Sequence, residues 1–362
     1  MNQTHQTVFQ ARREKLWSAL EETRAHAFVV TALPNARYLS GFSGSNAAML
    51  ITGERSLLFT DPRYDIQAHQ ETDCEVKVAK GPLLKHVCTW IKRLRLTRVA
   101  FEGNRISFQD YEQLKEWTNR TRLTRADGMI ESLRMVKSVD EIATIKASVQ
   151  LNSAAFEQTI RHFKPSMTEV DIAAELEYRM RRMGADCPAF ETIVASGAKS
   201  ALPHARASDC PILRDELLLM DMGASVAGYV SDMTRTYAVG RLDTKRRRMH
   251  RAVLESQLAA VDAVKPGITC ATVDRAARDV LRDFGMEKLF IHSTGHGLGL
   301  EIHERPRLGR KERTKLEAGM VITIEPGVYE ESFGGVRIED TVVVTPGGCQ
   351  ILTPTGKELV VL

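Results

Sequence analysis

The chain lacks any run near the roughly 18 apolar residues that a bilayer-crossing helix needs, so nothing in it is expected to span a membrane. It is also poor in cysteine. Cys74, Cys88, Cys187, Cys210, Cys270 and Cys349 stand apart, with no CxxC pair and no metal-ligand spacing. That excludes a disulfide framework and a thiolate metal site, and it fits reduced thiols in a cytoplasmic protein. A net charge of +4 and a pI of 8.7 are too mild to argue for nucleic acid as a partner. The densest basic run, Lys245-Arg246-Arg247-Arg248, precedes apolar positions at helical spacing (Met249, Val253, Leu258, Val261). It reads as the solvated start of a helix. The N-terminal segment MNQTHQTVFQARREKLWSAL has neither an apolar stretch nor a cleavage site, so no secretory signal is read. There is no tandem repeat and no low-complexity segment.

What is present is the composition of an ordinary globular protein, 43% hydrophobic and 27% charged. At 362 residues it exceeds what one core usually serves, so two domains are expected. Residues 1–128 alternate strands with helices: strands at 27–31, 47–51 and 56–60, a helix at 83–94, a strand at 98–102. That predicts an α/β domain. Residues 129–362 open with two helices, the first entered by a capping box at Ser138 and Glu141, the second at Thr168 and Asp171. Strands follow at 191–196, Glu216–Met222 and 229–239, then helices at 244–264 and 272–284. Strands return at Val321–Ile324, 336–339 and 341–345. This order predicts an α+β domain with a mixed or antiparallel sheet, built from two similar halves.

Five residues of the second domain stand out: Asp221, Asp232, His296, Glu325 and Glu339. Asp221 ends a run of leucines, where a carboxylate is costly unless it meets a cation. Gly223 and Gly228 are expected to turn the chain into a hairpin that brings Asp232, within the next strand, back to it. His296 sits in Gly295-His296-Gly297-Leu298-Gly299, where glycines permit close backbone approach and unusual dihedrals. His292 and His303 flank it. Glu325 ends a strand before Pro326-Gly327. Glu339 interrupts the apolar stretch 336–344, and Arg337, two residues earlier on the same face, is placed to pair with Glu339 or with a substrate. Four carboxylates and one imidazole form a hard, anionic set that suits two divalent cations side by side, and hence hydrolysis.

In order and spacing these segments resemble the pita-bread metallopeptidases, the family of methionine aminopeptidase, aminopeptidase P and prolidase. The resemblance covers nearly the whole chain and is strongest to the Xaa-Pro dipeptidase and aminopeptidase P group. It implies an N-terminal creatinase/prolidase-like domain before a pita-bread catalytic domain, because NARYLSGFSGSNA and FTDPRY are similar to segments of that smaller domain. Methionine aminopeptidases lack it. The family's ligand order implies that Asp221 binds one metal, that His296 and Glu325 hold a second, and that Asp232 and Glu339 bridge them. FETIVASGAKSALPHARAS, HSTGHGLGLEIHE, EPGVY and GGVRIED carry over His204, His292, His303, Tyr329 and Arg337 as catalytic or substrate-side residues. Two departures are visible: Ala205-Arg206 follows His204 where a glycine is expected, and Met222 follows the first ligand in place of Phe or Leu. Neither touches a ligand.

The resemblance further implies cleavage of Xaa-Pro bonds, with Glu325 as proton shuttle and His303 and His292 on the oxyanion or the substrate backbone. Phe190 and His204 would wall the proline, whose amide has no N–H for a generic peptidase to use. Mn2+ or Co2+ suits the ligands best, with Zn2+ as the alternative, and a homodimer is implied. An Xaa-Pro dipeptidase is expected. An aminopeptidase P acting on longer peptides is the alternative; a partner subunit's N-terminal domain would then set peptide length, with Asp61, Arg63 and Tyr64 as candidates. A catalytically inactive binding module is the remote third reading, opposed by retention of all five ligands.

Overall fold

A computed structural model describes residues 7–362; residues 1–6, the polar start of the segment read above for a secretory signal, lie outside it. The chain divides into two compact units between Arg134 and Met135.

The first unit is α/β, as expected. Its sheet runs in the order Glu75–Val78, Ser56–Thr60, Ala48–Ile51, Ala27–Val30, Arg98–Phe101, Arg122–Arg125. The two middle strands, Ala48–Ile51 and Ala27–Val30, are buried along their whole length, which is why they read as unbroken apolar runs rather than as alternation. The helix Leu83–Arg93 lays Leu84, Val87, Cys88 and Ile91 into this core. Asp61, Arg63 and Tyr64 make local bonds: Arg63 pairs with Asp61 at 2.9 Å, and Tyr64 and Ser45 share a hydroxyl contact of 2.6 Å.

The second unit is α+β. Both expected capping boxes form, opening helices Val139–Arg161 and Glu169–Arg182. An antiparallel sheet follows, in the order Met233–Val239, Glu216–Met222, Ile193–Ser196. Helices Thr244–Asp262 and Cys270–Asp283 lead into a second sheet: Glu304–Leu308, Gly295–Gly297, Val321–Ile324, Asp340–Thr345, Gly348–Ile351. Helices then strands, twice over, are the two halves the sequence hinted at.

Alternation along Glu216–Met222 decides where its carboxylate points. Leu218, Met220 and Met222 pack with Phe156, Leu176 and Met180 of the first helix pair. Leu217, Leu219 and Asp221 therefore share the opposite face. Across the ladder Asp221 pairs with Thr234, so Thr234 shares that face too.

The expected strand 229–239 is two strands. Tyr229–Val230 pairs with Ala224–Val226 in a separate small sheet, and Met233–Val239 returns to the main one. Ser231 and Asp232 lie between them. Asp232 thus sits at a crossover between sheets rather than within a strand. Gly223 accommodates this crossover: a Cβ there would come within 2.2 Å of the Ser231 carbonyl oxygen. Likewise the expected strand 336–339 ends at Arg337, and the next starts at Asp340, leaving Glu339 in the gap.

His250, on the helix Thr244–Asp262, is 3% exposed. Burial pulls its pKa from 6.5 down to about 4, against a hydrogen bond to the Thr236 backbone that raises it. The folded value lies below the unfolded one, so the contribution to stability is complete above pH 6.5 and drains away as pH falls toward 4. At about 1.4 kcal/mol per pKa unit, this one residue should cost about 3 kcal/mol over that range. Urea melts of wild type and His250→Leu at both ends should show the variant losing that much less.

Candidate metal centre

The five residues come from five separate segments and converge. His296 lies on the short strand Gly295–Gly297. Its flanking glycines are there for space: a Cβ on Gly295 would lie 1.9 Å from the Thr323 oxygen, and one on Gly297 2.3 Å from the Arg305 oxygen. The unusual dihedrals expected here are not found, since neither Gly295, Gly297 nor Gly299 has positive φ. Glu325 follows the strand Val321–Ile324, and its amide donates to the Thr294 carbonyl at 2.8 Å. The Glu339 amide donates to the Thr234 carbonyl at 3.1 Å, joining the two halves of the unit beside the site.

The imidazole of His296 shows what the cluster wants. Its Nδ1 meets the Gly297 carbonyl at 3.0 Å, and a carbonyl can only accept, so Nδ1 carries the hydrogen. Burial lowers its pKa, which leaves Nε2 bare. That lone pair faces carboxylate oxygens of Glu325 at 3.3 Å and Asp232 at 3.7 Å. Three electron-rich atoms so close repel unless a cation lies among them. Ligand atoms of Asp232, His296 and Glu339 all fall within 4.8 Å of one another. Asp221 Oδ1 and Glu339 Oε1 are buried and have no hydrogen-bond partner. Burial and then mutual repulsion push Asp232 and Glu339 well above the usual carboxylate range, and burial raises Glu325. A divalent cation pair answers each of these deficits, so the residues fit the metals.

Arg337 is the site's protein cation. The expected pairing with Glu339 is not made. Its Nη2 donates to Asp221 Oδ2 at 2.7 Å, Nη1 to the Tyr329 hydroxyl at 2.8 Å, and Nε to Thr234 Oγ1 at 2.9 Å. Thr234 in turn donates to Glu339 Oε2 at 2.7 Å. Burial would lower the guanidinium pKa, but Tyr329, Asp221 and Glu325 hold it well above its ordinary value. Tyr329, raised to about 12 by its own burial, stays a neutral phenol.

His292 Nδ1 donates to the Ser293 carbonyl at 2.8 Å, so Nε2 accepts from the Tyr329 hydroxyl at 2.9 Å. Both its nitrogens are thus used within the protein. His303 is exposed, with its ring edge-on to His296 at 4.5 Å between centroids. His204, also exposed, is near enough for its charge to lower the His303 pKa, after partial burial and His296. Phe190 packs against Gly223, at the crossover that positions Asp232.

Two residues escaped the sequence reading. Thr234 links Arg337 to Glu339, and Thr323 bonds both the His296 amide, at 3.1 Å, and Glu325 Oε1, at 3.2 Å. Each is a threonine two residues from a member of the cluster, Asp232 or Glu325, and that period is the signal that marks them.

An α+β fold whose buried carboxylates gather around a neutral imidazole is that of a metal-dependent hydrolase. Comparison with known proteins makes this specific. Residues 143–346 match the model of metallopeptidase family M24, and residues 12–136 that of the creatinase/prolidase N-terminal domain. An Xaa-Pro dipeptidase of Pyrococcus furiosus is 38% identical over 349 residues, 96% of this chain and 99% of that one. An Xaa-Pro dipeptidase structure from Bacillus anthracis superposes with a TM-score of 0.95 at 37% identity, covering 98% of this chain and 100% of that one. An X-Pro aminopeptidase structure from Thermotoga maritima gives 0.89 at 37% identity, covering 97% and 100%. The chain belongs to metallopeptidase family M24.

Proposed function

We propose that this enzyme is an Xaa-Pro dipeptidase, with its N-terminal domain in residues 1–128 and its catalytic domain in 129–362. The observation that carries the site assignment is the bare Nε2 of His296 facing two buried carboxylates, with orphaned oxygens on Asp221 and Glu339 beside it. Asp221 would hold one divalent ion, His296 and Glu325 the other, with Asp232 and Glu339 shared. Mn2+ or Co2+ suits the oxygen-rich set, with Zn2+ the alternative. Bound there, the cations supply the positive charge that acidifies a water and polarises the scissile carbonyl.

The side chains do the rest. Glu325 takes a proton from the attacking water and delivers it to the leaving proline nitrogen. His303, exposed beside His296, donates to the developing oxyanion. His292 orients the Tyr329 hydroxyl, and Arg337 orders Asp221, Thr234 and Tyr329 together. Phe190 and His204 wall the proline ring. Six free thiols support a cytoplasmic setting, and no helix among the described residues is long and apolar enough to cross a membrane. A homodimer completes the reading.

The likeness to an X-Pro aminopeptidase favours one second reading, release of the first residue from longer Xaa-Pro peptides. Hydrolysis of Ala-Pro, Ala-Pro-Ala and Ala-Ala with Mn2+ separates the two. Ala-Pro alone should be cleaved quickly. Equal rates on the tripeptide would replace the dipeptidase with the aminopeptidase, and no cleavage at all would remove both.

A further inference from the structure

Positive charge is not spread evenly over this chain. Residues 304–315, ERPRLGRKERTK, carry six cations and two carboxylates, a net +4 that equals the formal charge of the whole protein. Glycine and proline interrupt the stretch, so it is less conspicuous in the sequence than residues 245–248. The structure places it at the edge of the second sheet. The strand Glu304–Leu308 pairs with Gly295–Gly297, and Arg307 lies directly across from His296. Directly opposed residues of an antiparallel pair share a face. Arg307 therefore projects on the side of the carboxylate cluster, while Leu308 is buried in the core behind.

Beside this strand is a cavity of about 650 Å3, whose charged and titratable lining is Arg278, His292, Arg307, Arg310, Lys311 and Glu312. Arg278 is committed to Asp274, and Arg310 faces Glu287 at 3.4 Å. Glu312 is occupied in accepting from Thr314. Arg307 and Lys311 are exposed and have no carboxylate partner among the described residues. Two uncompensated cations thus line a cavity that shares His292 with the candidate centre.

We propose that this cavity is an anion subsite that draws in negatively charged substrate groups, so that the enzyme favours acidic Xaa-Pro substrates over basic ones. This rests on the reading of Xaa-Pro hydrolysis given above. The physical ground is the net positive charge that Arg307 and Lys311 add to a cavity sharing His292 with the site; such a field raises the local concentration of anionic substrate and fades with salt.

The test compares kcat/KM for Glu-Pro and Lys-Pro in Mn2+-loaded wild type and Arg307→Gln/Lys311→Gln, at low and high salt. Both changes are on exposed side chains, so folding is preserved. Wild type should prefer Glu-Pro. In the variant the Glu-Pro to Lys-Pro ratio should fall by about tenfold or more at low salt, with the gap closing at high salt. An unchanged ratio overturns the subsite. If wild type cleaves no Xaa-Pro dipeptide, the functional reading fails by itself, and thermal stabilisation by sodium sulfate then decides the subsite. Wild type should gain more than the variant, and equal gains overturn the proposal.

Discussion

Replacing Glu339 by glutamine should abolish catalysis and yet make the protein more stable when divalent cations are withheld. Glu339 is 1% exposed, one of its oxygens has no partner, and burial, then the neighbouring carboxylates, push its pKa well up. A neutral amide of the same shape keeps an acceptor for the Thr234 hydroxyl, removes one like charge, and gives the neighbours a donor. An unsatisfied buried group costs about 1–3 kcal/mol, so that is the expected gain without metal. With saturating Mn2+ the order should invert. Wild type gains by mass action, about 4 kcal/mol at a thousandfold excess over Kd, and the variant gains less. The rate should fall at least about a thousandfold, equivalent to about 4 kcal/mol of barrier. Melting curves with and without Mn2+ check the crossing. A variant destabilised equally in both conditions would mean that Glu339 is structural.

The second large effect concerns Arg235, on the strand Met233–Val239, one residue from Thr234 and 1% exposed. It donates to Asp340 Oδ1 at 2.7 Å and to the carbonyls of Thr234 at 2.9 Å, Gly356 at 2.9 Å and Thr355 at 2.6 Å, and also to that of Glu339. Asp340, fully buried, also accepts from Gln257 at 2.9 Å and from Lys357. Asp340→Ala leaves a guanidinium buried without its counter-charge. Breaking such a pair from one side costs about 3–5 kcal/mol. For a unit of this size that lowers Tm by roughly 10 °C. Asp340→Asn, which keeps an acceptor, should lose less. Because Arg235 holds the Glu339 carbonyl, the alanine variant should also bind Mn2+ more weakly. A Tm within a degree or two of wild type would show the network to be dispensable.

Much of this architecture could be read from residues alone. Unbroken apolar runs such as 27–30 are strands buried on both faces, and Ser138 with Glu141 or Thr168 with Asp171 announce helix starts through side chains that bond the backbone they precede. Asp221 and Glu339 are legible because an apolar neighbourhood penalises a carboxylate there, and His296 because glycines flank it; the set of five is legible from its order and spacing. The rest depends on tertiary approach. Gly223 reads as a turn residue; its lack of a side chain also admits the Ser231 backbone beside the crossover where Asp232 lies, which no local pattern reveals. Two-residue spacing puts Arg337 on the face of Glu339, but the strand ends at Arg337, and its partner is Asp221, brought to it from the other half of the unit. Periodicity gives the face on which a side chain lies and says nothing about which distant element meets it there.

The central claim is that these five residues hold two catalytic divalent ions. Anomalous diffraction from crystals of the Mn2+-loaded enzyme tests it most directly. Two peaks are expected among Asp221, Asp232, His296, Glu325 and Glu339, both lost in Glu339→Gln crystals or reduced to one. An active enzyme with no peak among these residues, or with its manganese bound elsewhere, would contradict it.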